Sequence, residues 1–112
     1  MPDDAEPWPD ALFRAEATGG DIEPVIVVEG ELDASGTDWF VACVGAVLER
    51  HPTSIAIDAQ GLSFMDSSGL RSMLIARAAA EEAGVSFHIT QPSPAVRRMV
   101  ERTGLQNRLL DE

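Results

Sequence analysis

The chain has 112 residues, is 45% hydrophobic and carries a formal net charge of -11. That length holds one small domain with one core, and that hydrophobic share belongs to a globular rather than a disordered protein. All eight basic residues are arginines set against 19 acidic ones, so no basic stripe is present for nucleic acid or anionic membrane, and a partner with a basic patch is the one attracted.

Residues 1–10, "MPDDAEPWPD", read as a loose arm, with prolines on both sides of Trp8. The arm has no apolar run, so neither a signal peptide nor a membrane span is expected there, and the expected location is cytoplasmic. The domain then occupies residues 11–112. In "ALFRAEAT", Phe13, Ala15 and Ala17 alternate with polar residues, the pattern of a half-buried strand. "GGDIEP" is turn material, and "VIVVEG" is a β-branched run expected to be covered on both faces or nearly so. A hairpin joins the two strands.

"ELDASGTD" leads into a first helix, with Ser35 and Asp38 at capping-box spacing. Phe40, Val44, Val47 and Leu48 make its apolar stripe, and the helix is expected to reach about Arg50 before His51-Pro52 stops it. Cys43, the single cysteine, excludes an intrachain disulfide, fits a reducing compartment and reads as an inert thiol within this helix. "SIAIDA" is a short strand. "QGLSFM" reads as a loop that sends Leu62 and Phe64 into the core. "DSSGLRSMLIARAAAEEAG" is a second helix, with Leu70, Met73, Leu74 and Ala78 buried and Gly84 as its stop. "VSFHI" alternates as a strand. "SPAVRRMVERTG" is a third helix, capped by Ser93, opened by Pro94, closed by Gly104 and apolar along Val96, Met99, Val100 and Thr103. "LQNRLLDE" adds an edge strand or packs against the rest.

The order is β-β-α-β-α-β-α. This is an α/β single domain with a mixed, mostly parallel sheet, an N-terminal hairpin and packed helices. In such sheets functional groups collect beyond the carboxyl ends of the parallel strands. The loops "GELDASG" and "GLSFMDSSG" both leave at that rim, which places Asp33 near Asp66, Ser67 and Ser68.

Catalysis by the paired serines finds little support. "MDSSG" does not match the hydrolase elbow, and the histidines, His51 and His88, fall away from the rim. No cluster has metal-ligand spacing and no glycine run makes a phosphate loop. No enzymatic activity and no cofactor are therefore expected. Two readings of "DSSG" remain. One of its polar residues caps the helix, or Ser68 accepts a phosphate where the unpaired N–H groups and the positive end of the helix face it.

Three separated stretches, "VVEGELD" (27–33), "LSFMDSSGL" (62–70) and "SPAVRRMVERTGL" (93–105), resemble the anti-sigma factor antagonists, single-domain members of the sulfate-transporter-and-anti-sigma-antagonist (STAS) superfamily. The resemblance spans about residues 11 to 110. It implies a STAS-like fold and a stress-response partner switch that regulates transcription. Such an antagonist binds an anti-sigma factor that is also a serine kinase, which frees the sigma factor. The kinase then uses ATP to phosphorylate the antagonist, which lets go, and a serine phosphatase restores it. It further implies Ser68 as the phosphoacceptor, with Asp33, Asp66, Ser67, Gly69, Leu70 and Arg71 forming the partner-binding rim. Arg71 departs from the commonest family pattern, where a small residue follows "SGL". The STAS superfamily implies an alternative as well, an accessory subunit that braces the ATPase of a lipid transporter and needs no phosphorylation.

Overall fold

The computed structural model describes residues 13–110, so the amino-terminal arm and Trp8 lie outside the described residues. Strands β1 (Phe13–Thr18) and β2 (Val25–Leu32) form the antiparallel hairpin. It turns through Gly19 and Gly20, whose φ angles of 85° and 86° are left-handed backbone that glycine adopts without a Cβ penalty. There follow α1 (Thr37–Leu48), β3 (Ser54–Met65), α2 (Ser67–Glu82), β4 (Ser86–Ile89), α3 (Pro94–Arg102) and a single turn, α4 (Gln106–Leu109). The sheet order is β1-β2-β3-β4, with β2, β3 and β4 parallel. The carboxyl-terminal stretch does both things expected of it in miniature. It packs as α4, and Leu110 makes one parallel bridge to Ile89.

This topology decides where the core sits. Both strand–helix–strand crossovers step the same way along the sheet, and a right-handed connection in a constant direction puts every crossover helix on the same face. The register agrees: Ile26 sits beside Ile57 and Ile57 beside Ile89, all fully buried on the helix side. The opposite face, with Val25, Val27, Ala56, Asp58 and His88, is only half-buried. Of the two faces of "VIVVEG" expected to be covered or nearly so, the helix side is fully buried and the other is half-buried. Its β-branched residues on the open face serve the pleat rather than a second layer. On the covered face Phe40 is fully buried and meets Phe13 edge-to-face, with ring centroids 6.3 Å apart. Burying a side chain of that size contributes about 1.5–3 kcal/mol.

Five further readings change. "QGLSFM" is not a loop, because β3 continues through it to Met65 alongside β2. Burial in β3 passes from every second residue (Ile55, Ile57, Ala59) to every third (Leu62, Met65), and the pairing with β2 slips between Val27 and Glu29 and between Gly30 and Glu31. Such bulges bend and twist a strand and abolish the alternation that marks one in sequence. Leu62 enters the core as expected, but Phe64 stands 45% exposed. In α2 the inward residues are Leu70, Met73, Ala76 and Ala80, while Leu74 is half-buried and Ala78 exposed. α1 ends at Leu48, two residues short of Arg50, and in α3 Thr103 is an exposed C-cap rather than part of the apolar face.

Candidate functional site at the carboxyl rim of the sheet

β2 and β3 end side by side. Leu32 is the register partner of Met65, and the Asp66 N–H donates to the Leu32 carbonyl at 3.4 Å. The two connections expected to share a rim therefore start from adjacent residues, which sets Asp33 next to Asp66.

The first connection is a tight turn organised by Asp33. Its carboxylate accepts from both the Ser35 N–H, at 2.9 Å, and the Ser35 hydroxyl, at 2.7 Å. Its carbonyl accepts from the Gly36 N–H, at 3.0 Å, and the Thr37 hydroxyl, at 3.2 Å. Ser35 thus does not cap α1; the N-cap is Gly36, with no side-chain cap bond. A Cβ on Gly36 would press at 3.2 Å on the Phe13 ring, so the backbone itself fills that place. The hydroxyl and N–H of Ser35 hold the Asp33 carboxyl below the usual carboxylate range. A depressed folded-state value means a stabilising contribution that is complete above the ordinary carboxylate range and is lost as pH falls through the depressed midpoint. Ser35→Ala is expected to raise the Asp33 midpoint, read by carboxyl-carbon NMR titration. An unchanged midpoint would show that Ser35 does not set it.

The second connection is α2's entry. Asp66 is the N-cap, extended at φ -100°, ψ -169°, and its carboxylate accepts from the Gly69 N–H at 3.0 Å. Such a cap is worth about 1 kcal/mol. Because the aspartate does the capping, neither serine hydroxyl is spent: among the described residues neither Ser67 nor Ser68 makes a side-chain hydrogen bond. Ser67, the first residue of α2, is exposed and Ser68, the second, is half-buried. Their own N–H groups belong to the first helical turn, which has no intrahelical acceptors.

Gly69 is the fulcrum. A Cβ there would lie 2.3 Å from the Leu32 carbonyl oxygen and 2.7 Å from Met65 Cγ. Only a glycine lets α2 begin directly on the end of β2. One turn on, the fully buried Ser72 hydroxyl donates to the Gly69 carbonyl at 2.7 Å, tying the start of α2 to itself.

Of the rim residues named from sequence, Asp33, Asp66, Ser67, Ser68 and Arg71 retain exposed surface. Gly69 and Leu70 are buried, Leu70 at 6% exposure within the core. Their side of α2 faces the sheet, and both seat the helix there. Phe64, Glu31 and Asp38 also join the rim. Phe64 was hidden by the lost alternation of β3, Glu31 is its register partner, and Asp38 lies in the first turn of α1. The rim is accordingly acidic around the two hydroxyls.

The histidines lie elsewhere. His88 is beside Ala56, and Ala56 precedes the end of β3 by nine residues, roughly 30 Å of extended strand. His51 precedes β3 altogether. Cys43 is half-buried in α1, and burial pushes its thiol up, which disfavours the reactive thiolate. Among the described residues no group of three or more His, Cys, Asp or Glu is placed to hold a metal, and no helix is long and apolar enough to cross a membrane.

With this geometry in place, comparison with known proteins identifies the chain. The family model described as "Mlab, STAS domain" matches residues 16–111. The chain is 32% identical over 88 residues to an anti-sigma F factor antagonist of Lysinibacillus sphaericus, covering 78% of this chain and 75% of that protein. It superposes on an anti-sigma factor antagonist from Mycobacterium paratuberculosis with a TM-score of 0.75 at 26% identity, covering 94% of this chain and 90% of the other. It also matches the Bacillus anti-sigma factor antagonist SpoIIAA in two forms. The unphosphorylated form aligns with a TM-score of 0.70 and 30% identity over 89% of this chain and 87% of that one. The phosphorylated form aligns with a TM-score of 0.64 and 29% identity over 89% and 90%. The chain belongs to the STAS domain family, among the anti-sigma factor antagonists.

Proposed function

We propose that this chain is a phosphorylation-controlled antagonist in a partner switch. Unmodified, its carboxyl rim docks on an anti-sigma factor that is also a serine kinase, and docking frees the sigma factor. The kinase then modifies Ser68. The serine Oγ attacks the γ-phosphorus of ATP, the bond from that phosphorus to the oxygen bridging to ADP breaks, and the hydroxyl proton passes to a base on the kinase. A serine phosphatase reverses the state by hydrolysing the phosphate ester. The chain itself supplies the acceptor and the docking surface, needs no cofactor and works in the cytoplasm.

The observation that carries this reading is a serine hydroxyl with no side-chain hydrogen bond of its own at the start of the 16-residue helix α2, which Asp66 caps, on a rim shared with Asp33. Phosphate in that position meets open N–H groups and the favourable end of the dipole, so the fold tolerates it. It adds about -1.5 to -2 charges to an already acidic surface. That SpoIIAA exists in a phosphorylated form supports the same chemistry here. Incubation with the cognate kinase and ATP, followed by mass spectrometric mapping, is expected to locate phosphate on Ser68. Phosphate on Ser67 alone would move the acceptor to the more exposed neighbour.

The second reading, an accessory subunit of a lipid transporter, draws on the match to the family model described as "Mlab, STAS domain". It needs no modification of Ser68, so a chain that captures a transporter ATPase and resists every kinase of its source cell would establish it instead.

A further inference from the structure

We propose that Arg71 is an internal ligand for the phosphate: on the phosphorylated chain its guanidinium closes on the phosphoryl group of Ser68. This rests on the reading of Ser68 as the acceptor and adds to it how the modified state is held.

The argument begins with spacing. Arg71 is four residues after Ser67 and three after Ser68 in the continuous helix α2. Residues so spaced are surface neighbours with Cβ atoms roughly 5–6 Å apart. Helical side chains lean toward the amino terminus, so the long arm of Arg71 extends back over the turn that carries the serines. Arg71 is exposed and, among the described residues, has no ion pair. Two other helical arginines differ, since Arg77 pairs with Glu81 at 3.0 Å and Arg97 with Glu101 at 3.4 Å, each four residues downstream. At the equivalent positions around Arg71 stand Ser67, Ser68, Leu74 and Ile75, none of them a carboxylate.

Charge sharpens the point. Segments 31–38 and 62–71 build the rim and hold Glu31, Asp33, Asp38 and Asp66, with Arg71 as their one basic residue. A cation close to a helix amino terminus is at the unfavourable end of the dipole. Without a phosphate Arg71 has no ion-pair partner among the described residues; a dianion on Ser68 supplies one. A guanidinium fork matches a phosphate with two parallel donors. Modification therefore changes the rim twice. It adds negative charge, and it withdraws from the docking surface the one cation that surface held.

The test uses the full chain with phosphoserine incorporated at position 68 during synthesis, alone and with Arg71→Met or Arg71→Lys. The readout is the second ionisation of the phosphate by phosphorus NMR, which for free phosphoserine lies near 6. A nearby cation favours the dianion, so the midpoint in the Arg71 chain is expected about 0.3–0.5 pH units below that of Arg71→Met, with Arg71→Lys between them. The gap is expected to shrink in ~1 M salt, where surface pairs are screened. Coincident titration curves for all three chains would overturn the clamp. Binding of the same phosphoproteins to the anti-sigma kinase separates the two claims. Weak binding with coincident curves removes Arg71 and leaves the switch, whereas binding as tight as that of the unmodified chain removes the switch whatever the curves show.

Discussion

Gly69→Ala is expected to destabilise the protein by about 3 kcal/mol, at the upper end of what overpacking costs, and to lower the thermal midpoint by roughly 12 °C or more for a domain of this size. The new methyl would stand 2.3 Å from the Leu32 carbonyl oxygen and 2.7 Å from Met65 Cγ. Met65 is a flexible side chain and can give way. The Leu32 carbonyl cannot, because it is backbone at the end of β2 and already accepts from the Asp66 N–H. The strain therefore has one outlet, a shift of the start of α2 away from the sheet, which carries Ser67 and Ser68 with it. Partner binding should fall along with stability. Gly45→Ala on α1 is the matched control. Its Cβ would meet nothing within 4 Å, so the same substitution there is expected to stabilise by about 0.5–1 kcal/mol, the helix preference for alanine over glycine. Denaturant melts of both variants check the pair; two changes of the same sign and size would mean that Gly69 is not a packing contact.

Ser68→Ala is expected to leave the fold unchanged and to hold the anti-sigma factor under conditions where the wild-type chain is phosphorylated and released. The hydroxyl makes no side-chain hydrogen bond among the described residues, so its removal leaves no buried group unpaired and the stability change should stay within about 0.5 kcal/mol. Ser68→Asp puts a single charge, on a shorter arm than a phosphate, at the start of α2. A helix amino terminus tolerates it, but a docked partner meets it beside Asp33 and Asp66. Like charges forced together across an interface cost several kcal/mol, and a charge smaller than a phosphate's should weaken binding roughly ten- to a hundredfold, since each 1.4 kcal/mol is a factor of ten. Calorimetric titration of the three chains against the kinase checks this, and equal affinities would show that position 68 does not control docking.

How legible this was in the sequence depended on which physical signal each element carried. Alternation in "FRAEAT", the Pro94 start and Gly104 end of α3, and the crossover order were plain, and they were enough for the sheet topology. The last third of β3 is not legible as strand because it is bulged: once Leu62 and Met65 follow Ala59 at intervals of three, no period-2 pattern survives. The covered and open faces of the sheet are a tertiary consequence of helices sharing one side, and the β-branched run of β2 looks alike with one buried face or two. At the site, the juxtaposition of Asp33 with the serines followed from topology alone. The division of labour did not. Asp66, Ser67 and Ser68 all suit a helix start chemically, and only the bond from the Gly69 N–H shows which one caps. Ser35 looked like a cap by spacing and turned out to hold Asp33, because its hydroxyl reaches that carboxylate two residues back. Gly69 and Leu70 enter the rim through the resemblance, whereas helical spacing alone already sets Leu70 inward: a helix turns about 100° per residue, and two steps past Ser67 the chain faces the sheet.

The most direct test of the central claim is the affinity of the anti-sigma kinase for two forms of one chain, unmodified and carrying phosphate on Ser68, measured by titration calorimetry at the same salt. A loss of about a thousandfold on phosphorylation, some 4 kcal/mol of repulsion at the rim, with far-ultraviolet circular dichroism unchanged, is the result expected. Equal affinities for the two forms, or a loss of affinity that comes only with loss of fold, would contradict it.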